Sequence, residues 1–177
     1  LLQRACAAAA DAGCDPVVVV GRSADQKLPP LPAEVAFAAD ERPDQGPLQG
    51  LVTGLVHLRD QHGFTADDAA FTTAVDMPFV GPDDVRWLLE RLGSATVLMP
   101  EVAARPQPLF AVYRLAVLDA VLSLLARGER ALHTVSRVPG ARLVGEAELR
   151  RHDHALRLLQ DVDTPADYAR LEPKAEP

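Results

Sequence analysis

An open α/β fold, with a mostly parallel sheet and crossover helices, is predicted by three observations. Strand-like apolar runs alternate with helix-like periodic stretches along nearly the whole chain. Val17-Val18-Val19-Val20 is four consecutive β-branched residues, the pattern of a strand covered on both faces. The Gly46-Pro47 pair stands where a strand end gives way to a helix start. With 177 residues the chain suits one domain and one sizeable core, and nothing in it reads as a linker, repeat or low-complexity segment.

The elements follow in order. Residues 1–12 are Ala-rich and helical, with Gly13 as the stop. Residues 17–20 form the first strand, 23–32 carry three prolines and read as loop, and Val35–Ala39 is a short strand ending at Asp40. From Pro47 onward Leu48, Leu51, Val52, Leu55 and Leu58 recur three and four apart, which predicts a helix stopped by Gly63. A strand over 69–75 leads to a helix over 82–92, with Asp83 and Asp84 suiting the positive end of its dipole. Strands are expected over 96–99 and 109–113, separated by a loop over 105–108, then an apolar helix over 115–126 closed by Gly128. Residues 131–137 fit helix or strand, 141–144 a last strand, and 165–171 a closing helix capped by Thr164.

Composition narrows the function. A net charge of -7 argues against a nucleic-acid surface, because phosphate backbones demand clustered Lys and Arg, although a local pocket for a phosphate ligand is compatible with it. Cys6 and Cys14 have no metal-ligand or CxxC spacing and read as reduced thiols of a cytoplasmic protein. No apolar run approaches the roughly 18 residues of a membrane span, and no signal peptide is expected. The sequence opens at Leu1, without Met and already inside a helix, so a preceding stretch is expected.

Ligands of open α/β sheets bind beyond the carboxyl ends of the strands, and that is where the acids fall. Asp76 follows a strand and is locked by Pro78, which suits either a Mg²⁺ ligand or a turn cap. Gly46-Pro47-Leu48-Gln49-Gly50 allows a ligand close to the backbone at a helix start, or serves as a tight turn alone. Asp161 and Asp163, two apart, point the same way if the segment is extended. The five histidines have no metal spacing and read as surface residues, and there is no Walker, GxGxxG or nucleophile-elbow motif.

Taken together, residues 40–55, Val75-Asp76-Met77-Pro78-Phe79, residues 107–114, Gly128-Glu129-Arg130 and Asp161-Val162-Asp163-Thr164-Pro165 resemble, in order and spacing, the molybdenum cofactor guanylyltransferases of the MobA-like nucleotidyltransferases. The resemblance implies a Rossmann-like three-layer α/β/α sandwich and Mg²⁺-dependent transfer of GMP from GTP to molybdopterin. It implies Asp76 as the metal-binding catalytic aspartate, and Asp40, Gly46, Pro47 and Leu48 at the nucleotide. Asp161, Asp163 and Arg130 would belong to the second-substrate or metal region. Molybdoenzymes or other proteins of molybdenum cofactor synthesis are the implied protein partners. The family's Gly-rich phosphate loop falls upstream of Leu1. Asp161 and Asp163 stand where guanylyltransferases carry asparagines and look more like cytidylyltransferase relatives, so CTP and other acceptors stay open. A cofactor-binding accessory protein without catalysis is the alternative of another class.

Overall fold

A computed structural model describes residues 1–40, 42, 45–162, 164 and 167. Its strands are β1 (Val17–Gly21), β2 (Val35–Ala39), β3 (Ala69–Thr73), β4 (Val97–Val102), β5 (Arg105–Pro106), β6 (Phe110–Arg114) and β7 (Ala141–Gly145). Its helices are α1 (Leu2–Asp11), α2 (Pro47–His62), α3 (Pro82–Glu90), α4 (Leu118–Ala126) and α5 (Glu146–His152). A 3₁₀ turn, Leu115–Val117, leads into α4, and the ambiguous segment resolves as a 3₁₀ helix, Leu132–Arg137.

The three layers follow from period-two alternation along the central strands. Val97 and Met99 of β4, with Ala111 and Tyr113 of β6, pack with α2 and α4 on one face. Their neighbours Leu98, Phe110 and Val112 pack with α3 and α5 on the other. Residues 97–100 of β4 and 110–113 of β6 are buried on both faces, which is why these segments read as continuous apolar runs. Each face therefore has its own helical cover, with α2 beside α4 on one side and α1 beside α3 on the other. Arg86 of α3 fastens that second pair by donating to the Asp11 carbonyl at 2.7 Å.

The expected α/β sheet carries antiparallel as well as parallel pairs. β1–β2 and β4–β7 run parallel, whereas β3–β6, β4–β6 and β4–β5 run antiparallel. The reversal begins at a hairpin, in which Val102 faces Arg105 across Ala103 and Ala104, at φ 49° and 58°. Two left-handed residues make the tight turn that suits strand twist. Alanines carry no signal for that turn, so β5 was expected as loop. The order β3-β6-β4-β5, with β7 on β4, forms one sheet, and β1–β2 forms a second.

Helix ends obey local chemistry. Pro47 opens α2, and Gly63, at φ 70°, closes it by turning its amide and that of Phe64 back to Arg59 and Leu58. Asp84 accepts the Gly81 amide at 2.8 Å at the start of α3. The unforeseen α5 has Glu146 and Glu148 in its first turn and Arg150, Arg151 and His152 in its last, the charge order its dipole favours. The closing helix over 165–171 lies almost wholly outside the described residues. Its expected cap is nonetheless formed, with Thr164 Oγ1 accepting the Asp167 amide at 3.2 Å and donating to the Asp167 carboxylate at 2.6 Å.

Candidate functional site

Asp40 leaves the end of β2 with its amide bound to the Gly21 carbonyl at 2.7 Å, which ties it to the carboxyl end of β1 as well. It is the buried charged residue among those described, at 9% exposure. A buried carboxylate needs donors. Its Oδ1 accepts the Arg42 amide at 2.9 Å, and the Thr53 hydroxyl of α2 lies at 3.5 Å, itself approached by Gln49 Nε2 at 3.4 Å. Asp40 is thus held against the first turns of α2. Arg42 and Thr53 were not among the expected site residues, since neither spacing nor motif links them to Asp40.

Gly46 begins α2 at φ 78°, a conformation glycine adopts without strain. A Cβ there would lie 3.1 Å from the Arg130 carbonyl oxygen. That same carbonyl accepts the Leu48 amide at 3.3 Å. Gly46, Pro47, Leu48 and Arg130 are therefore one cluster. Arg130, expected in the second-substrate or metal region, lies with its backbone against the Gly46–Leu48 turn. Its guanidinium donates to the Glu129 and Leu125 carbonyls at 2.8 and 3.2 Å, at the end of α4. Leu48 has a fully buried side chain in the α2–α4 core. Any part it plays at a ligand comes from its position in the backbone, while Pro47 is exposed beside it.

Asp76 lies three residues past β3. Its Oδ1 is buried and has no hydrogen-bond partner, a costly state for a carboxylate oxygen. Its carbonyl accepts the Val162 amide at 2.9 Å. The fold thereby brings the loop with Asp161 to the aspartate that the sequence marked far upstream. Asp161 is exposed and makes interactions of its own. Asp163 lies outside the described residues. No group of three or more His, Cys, Asp or Glu side chains forms a ready metal cage among the described residues.

The histidines were expected at the surface, and His152 departs from that. Its Nε2 is 2.6 Å from Asp84 Oδ1, both half-buried, and its ring stacks on Trp87 at 4.6 Å. This clasp joins α5 to α3, and the chain then runs to Val162 at Asp76.

The family model of the MobA-like NTP transferase domain matches residues 1–143. The chain belongs to that family. Three MobA-like relatives, each named a probable molybdenum cofactor guanylyltransferase, give the measure of similarity. The protein of Methanosarcina mazei is 30% identical over 140 residues, covering 78% of this chain and 59% of the relative. That of Deinococcus radiodurans is 36% identical over 139 residues, covering 77% and 65%. That of Chloroflexus aggregans is 33% identical over 164 residues, covering 87% and 71%. The chain thus spans about three fifths of the length of the first of them. The MobA-like fold also appears in the crystal structure of molybdopterin-guanine dinucleotide biosynthesis protein A from Archaeoglobus fulgidus. It has a TM-score of 0.66 and 24% identity over 86% of this chain and 75% of that one.

Proposed function

We propose that residues 1–177 form one nucleotidyltransferase domain that transfers GMP from GTP to molybdopterin, releasing pyrophosphate, with Mg²⁺ as cofactor. The observation that carries this reading is the buried, unpartnered Oδ1 of Asp76 at the carboxyl end of β3. A Mg²⁺ ion takes one or two carboxylates and completes its shell with substrate phosphates and water, so a lone buried carboxylate oxygen fits it without a protein cage. Asp76 would hold the ion, joined by Asp161 from the loop tied to it and by Asp163, which lies outside the described residues. When bound, the metal supplies charge neutralisation to the triphosphate.

The chain's own groups do the rest. A terminal phosphate oxygen of molybdopterin forms a bond to the α-phosphorus of GTP as the bond to the pyrophosphate oxygen breaks. Both reactants are anions, so alignment dominates the barrier. Gly46 lets the nucleotide approach the backbone at the start of α2, and Asp40, held by the Arg42 amide beside Thr53, supplies acceptors for nucleotide hydroxyl or base donors. Molybdoenzymes or other proteins of the same synthesis are the natural recipients of the product. A cytoplasmic setting follows from the supply of nucleoside triphosphate, and no described helix is long and apolar enough to cross a membrane.

Turnover of GTP and molybdopterin with Mg²⁺, followed by pyrophosphate release, tests the reading. Absence of product from the full polypeptide overturns it in favour of an accessory protein. A second reading, CTP as donor, is favoured by the acids at Asp161 and Asp163. Thermal shifts with GTP and CTP separate the two, because a ligand bound only by the native state raises the midpoint.

A further inference from the structure

Two arginines sit over aromatic rings, and they spend their donors differently. The Arg91 guanidinium lies 4.3 Å from the centre of the Trp87 ring. Its Nε donates to the Glu148 carboxylate at 3.3 Å and its NH1 group to the Trp87 carbonyl at 3.0 Å, which makes it a structural tie between α3 and α5. The Arg157 guanidinium lies 4.7 Å from the centre of the Phe79 ring, and no carboxylate or carbonyl among the described residues accepts its N–H groups. Contact with a ring fixes a guanidinium without consuming those donors, which form a fork that matches a phosphate.

The place of this cation is set from two sides. Arg157 opens a 3₁₀ turn, Arg157–Leu159, whose Leu158 is buried with Met77 and Val80. The Leu158 amide donates to the Asp153 carboxylate at 2.9 Å, and the Val162 amide reaches the Asp76 carbonyl at 2.9 Å. Phe79, the ring beneath Arg157, is three residues beyond Asp76, on the turn that carries the orphaned carboxylate oxygen. Cation and carboxylate are therefore mounted on the same pair of segments, 76–80 and 157–162. Arg157 is exposed there, in a chain of net charge -7, beside acids that would repel an incoming anion.

We propose that Arg157 binds the terminal phosphate monoester of the acceptor, with Phe79 as the platform that holds its guanidinium in place. In the transfer reading, on which the identity of the acceptor rests, the nucleotide lies at Gly46 and Asp40, beside the core that α2 shares with α4. Leu158, Met77 and Val80 belong to the opposite core, with α3 and α5. Two phosphorylated substrates that meet at Asp76 need separate faces, and Arg157 stands on the face that the nucleotide leaves open. A phosphate carrying two charges replaces water on the unspent donors, and its ion pair with Arg157 offsets the repulsion of Asp76 and Asp161.

Calorimetric titration of molybdopterin into the full polypeptide, as wild type, Arg157→Met and Arg157→Lys, tests this, with GTP titrated in parallel. Arg157→Met keeps the apolar stem and loses the charge, whereas Arg157→Lys keeps the charge and loses the fork. Acceptor binding should weaken by about 10- to 100-fold in Arg157→Met and by less in Arg157→Lys, with GTP affinity within about twofold of wild type. Arg151→Met, the same charge change at another exposed arginine, should bind the acceptor like wild type. Equal acceptor affinity in wild type and Arg157→Met overturns the proposal. So does an equal loss in Arg151→Met, a loss confined to GTP, or a wild type that does not bind the acceptor. Wild-type turnover, measured separately, tells the two readings apart. Transfer without Arg157-dependent acceptor binding keeps the reaction and removes this site, and Arg157-dependent binding without transfer keeps the site and removes the reaction.

Discussion

The amide of Val162 donates to the carbonyl of Asp76 at 2.9 Å, fastening the loop of Asp161 to the turn after β3. Two acidic segments far apart in sequence become one locus through this bond. Because the bond uses the Asp76 backbone, the side chain is left free for another partner, and its buried Oδ1 has none.

Asp76→Asn separates site from scaffold. The side chain keeps its shape and loses its charge, so stability should stay within about 1 kcal/mol, whereas transfer of GMP should fall by about 10³-fold or more. Pyrophosphate release and a denaturant midpoint measure the two effects. Undiminished turnover would remove Asp76 from the proposed metal site.

Gly46→Ala places a methyl group 3.1 Å from the Arg130 carbonyl oxygen in a left-handed backbone. Strain of about 1–2 kcal/mol is expected, lowering the melting point by about 2–8 °C for a chain of this size. GTP affinity should weaken with it, measured by calorimetry. A wild-type Tm would contradict the close approach.

Tyr113 donates its hydroxyl to the Pro108 carbonyl at 2.7 Å inside the core, and burial pushes its phenol well above the ordinary range. A raised folded pKa contributes stability that is complete below the unfolded value of about 10 and lost as pH rises above it. Wild-type stability should therefore decline above pH ~10 more steeply than that of Tyr113→Phe. The variant should cost about 1–3 kcal/mol near neutrality, because Pro108 loses its donor. Denaturant titrations across alkaline pH provide the comparison.

His152→Ala opens the clasp between α5 and α3 and leaves Asp84 half-buried without its ring partner. A loss of about 1–3 kcal/mol follows. Trp87 is the one tryptophan of the chain and stacks on His152, so its emission reports the opening directly. Unchanged emission would show that the stack is absent in solution.

Ala104→Gly should stabilise the β4–β5 hairpin by up to about 1 kcal/mol, since φ 58° strains alanine and suits glycine. Calorimetry of the single variant decides this, and a lower melting point would contradict the turn geometry.

Much of the fold was legible because its signals are local. Pro47 and Gly63 mark the ends of α2, and five apolar residues at helical spacing mark its inner face. The β1 and β2 bounds follow from β-branched and apolar runs, and Asp40, Gly46 and Asp76 stand out at strand ends and turns. The charge order of α5, acids first and bases last, was present to be read and went unused. The Ala103-Ala104 turn carried no readable signal, since tertiary pairing imposes its backbone on residues that do not prefer it.

Sequence by itself determined the α/β class, the order of the strands and helices other than β5 and α5, and the acids at strand ends, all set by periodicity and backbone preference within a few residues. Only the tertiary structure decided which of them meet. Arg130 meets the Gly46–Leu48 turn because its carbonyl satisfies the Leu48 amide, and the loop of Asp161 reaches Asp76 because the chain behind it is held by His152, Leu158 and Val162. Those pairings depend on how buried polar groups find partners once the layers have packed, and no local pattern in the chain encodes that choice.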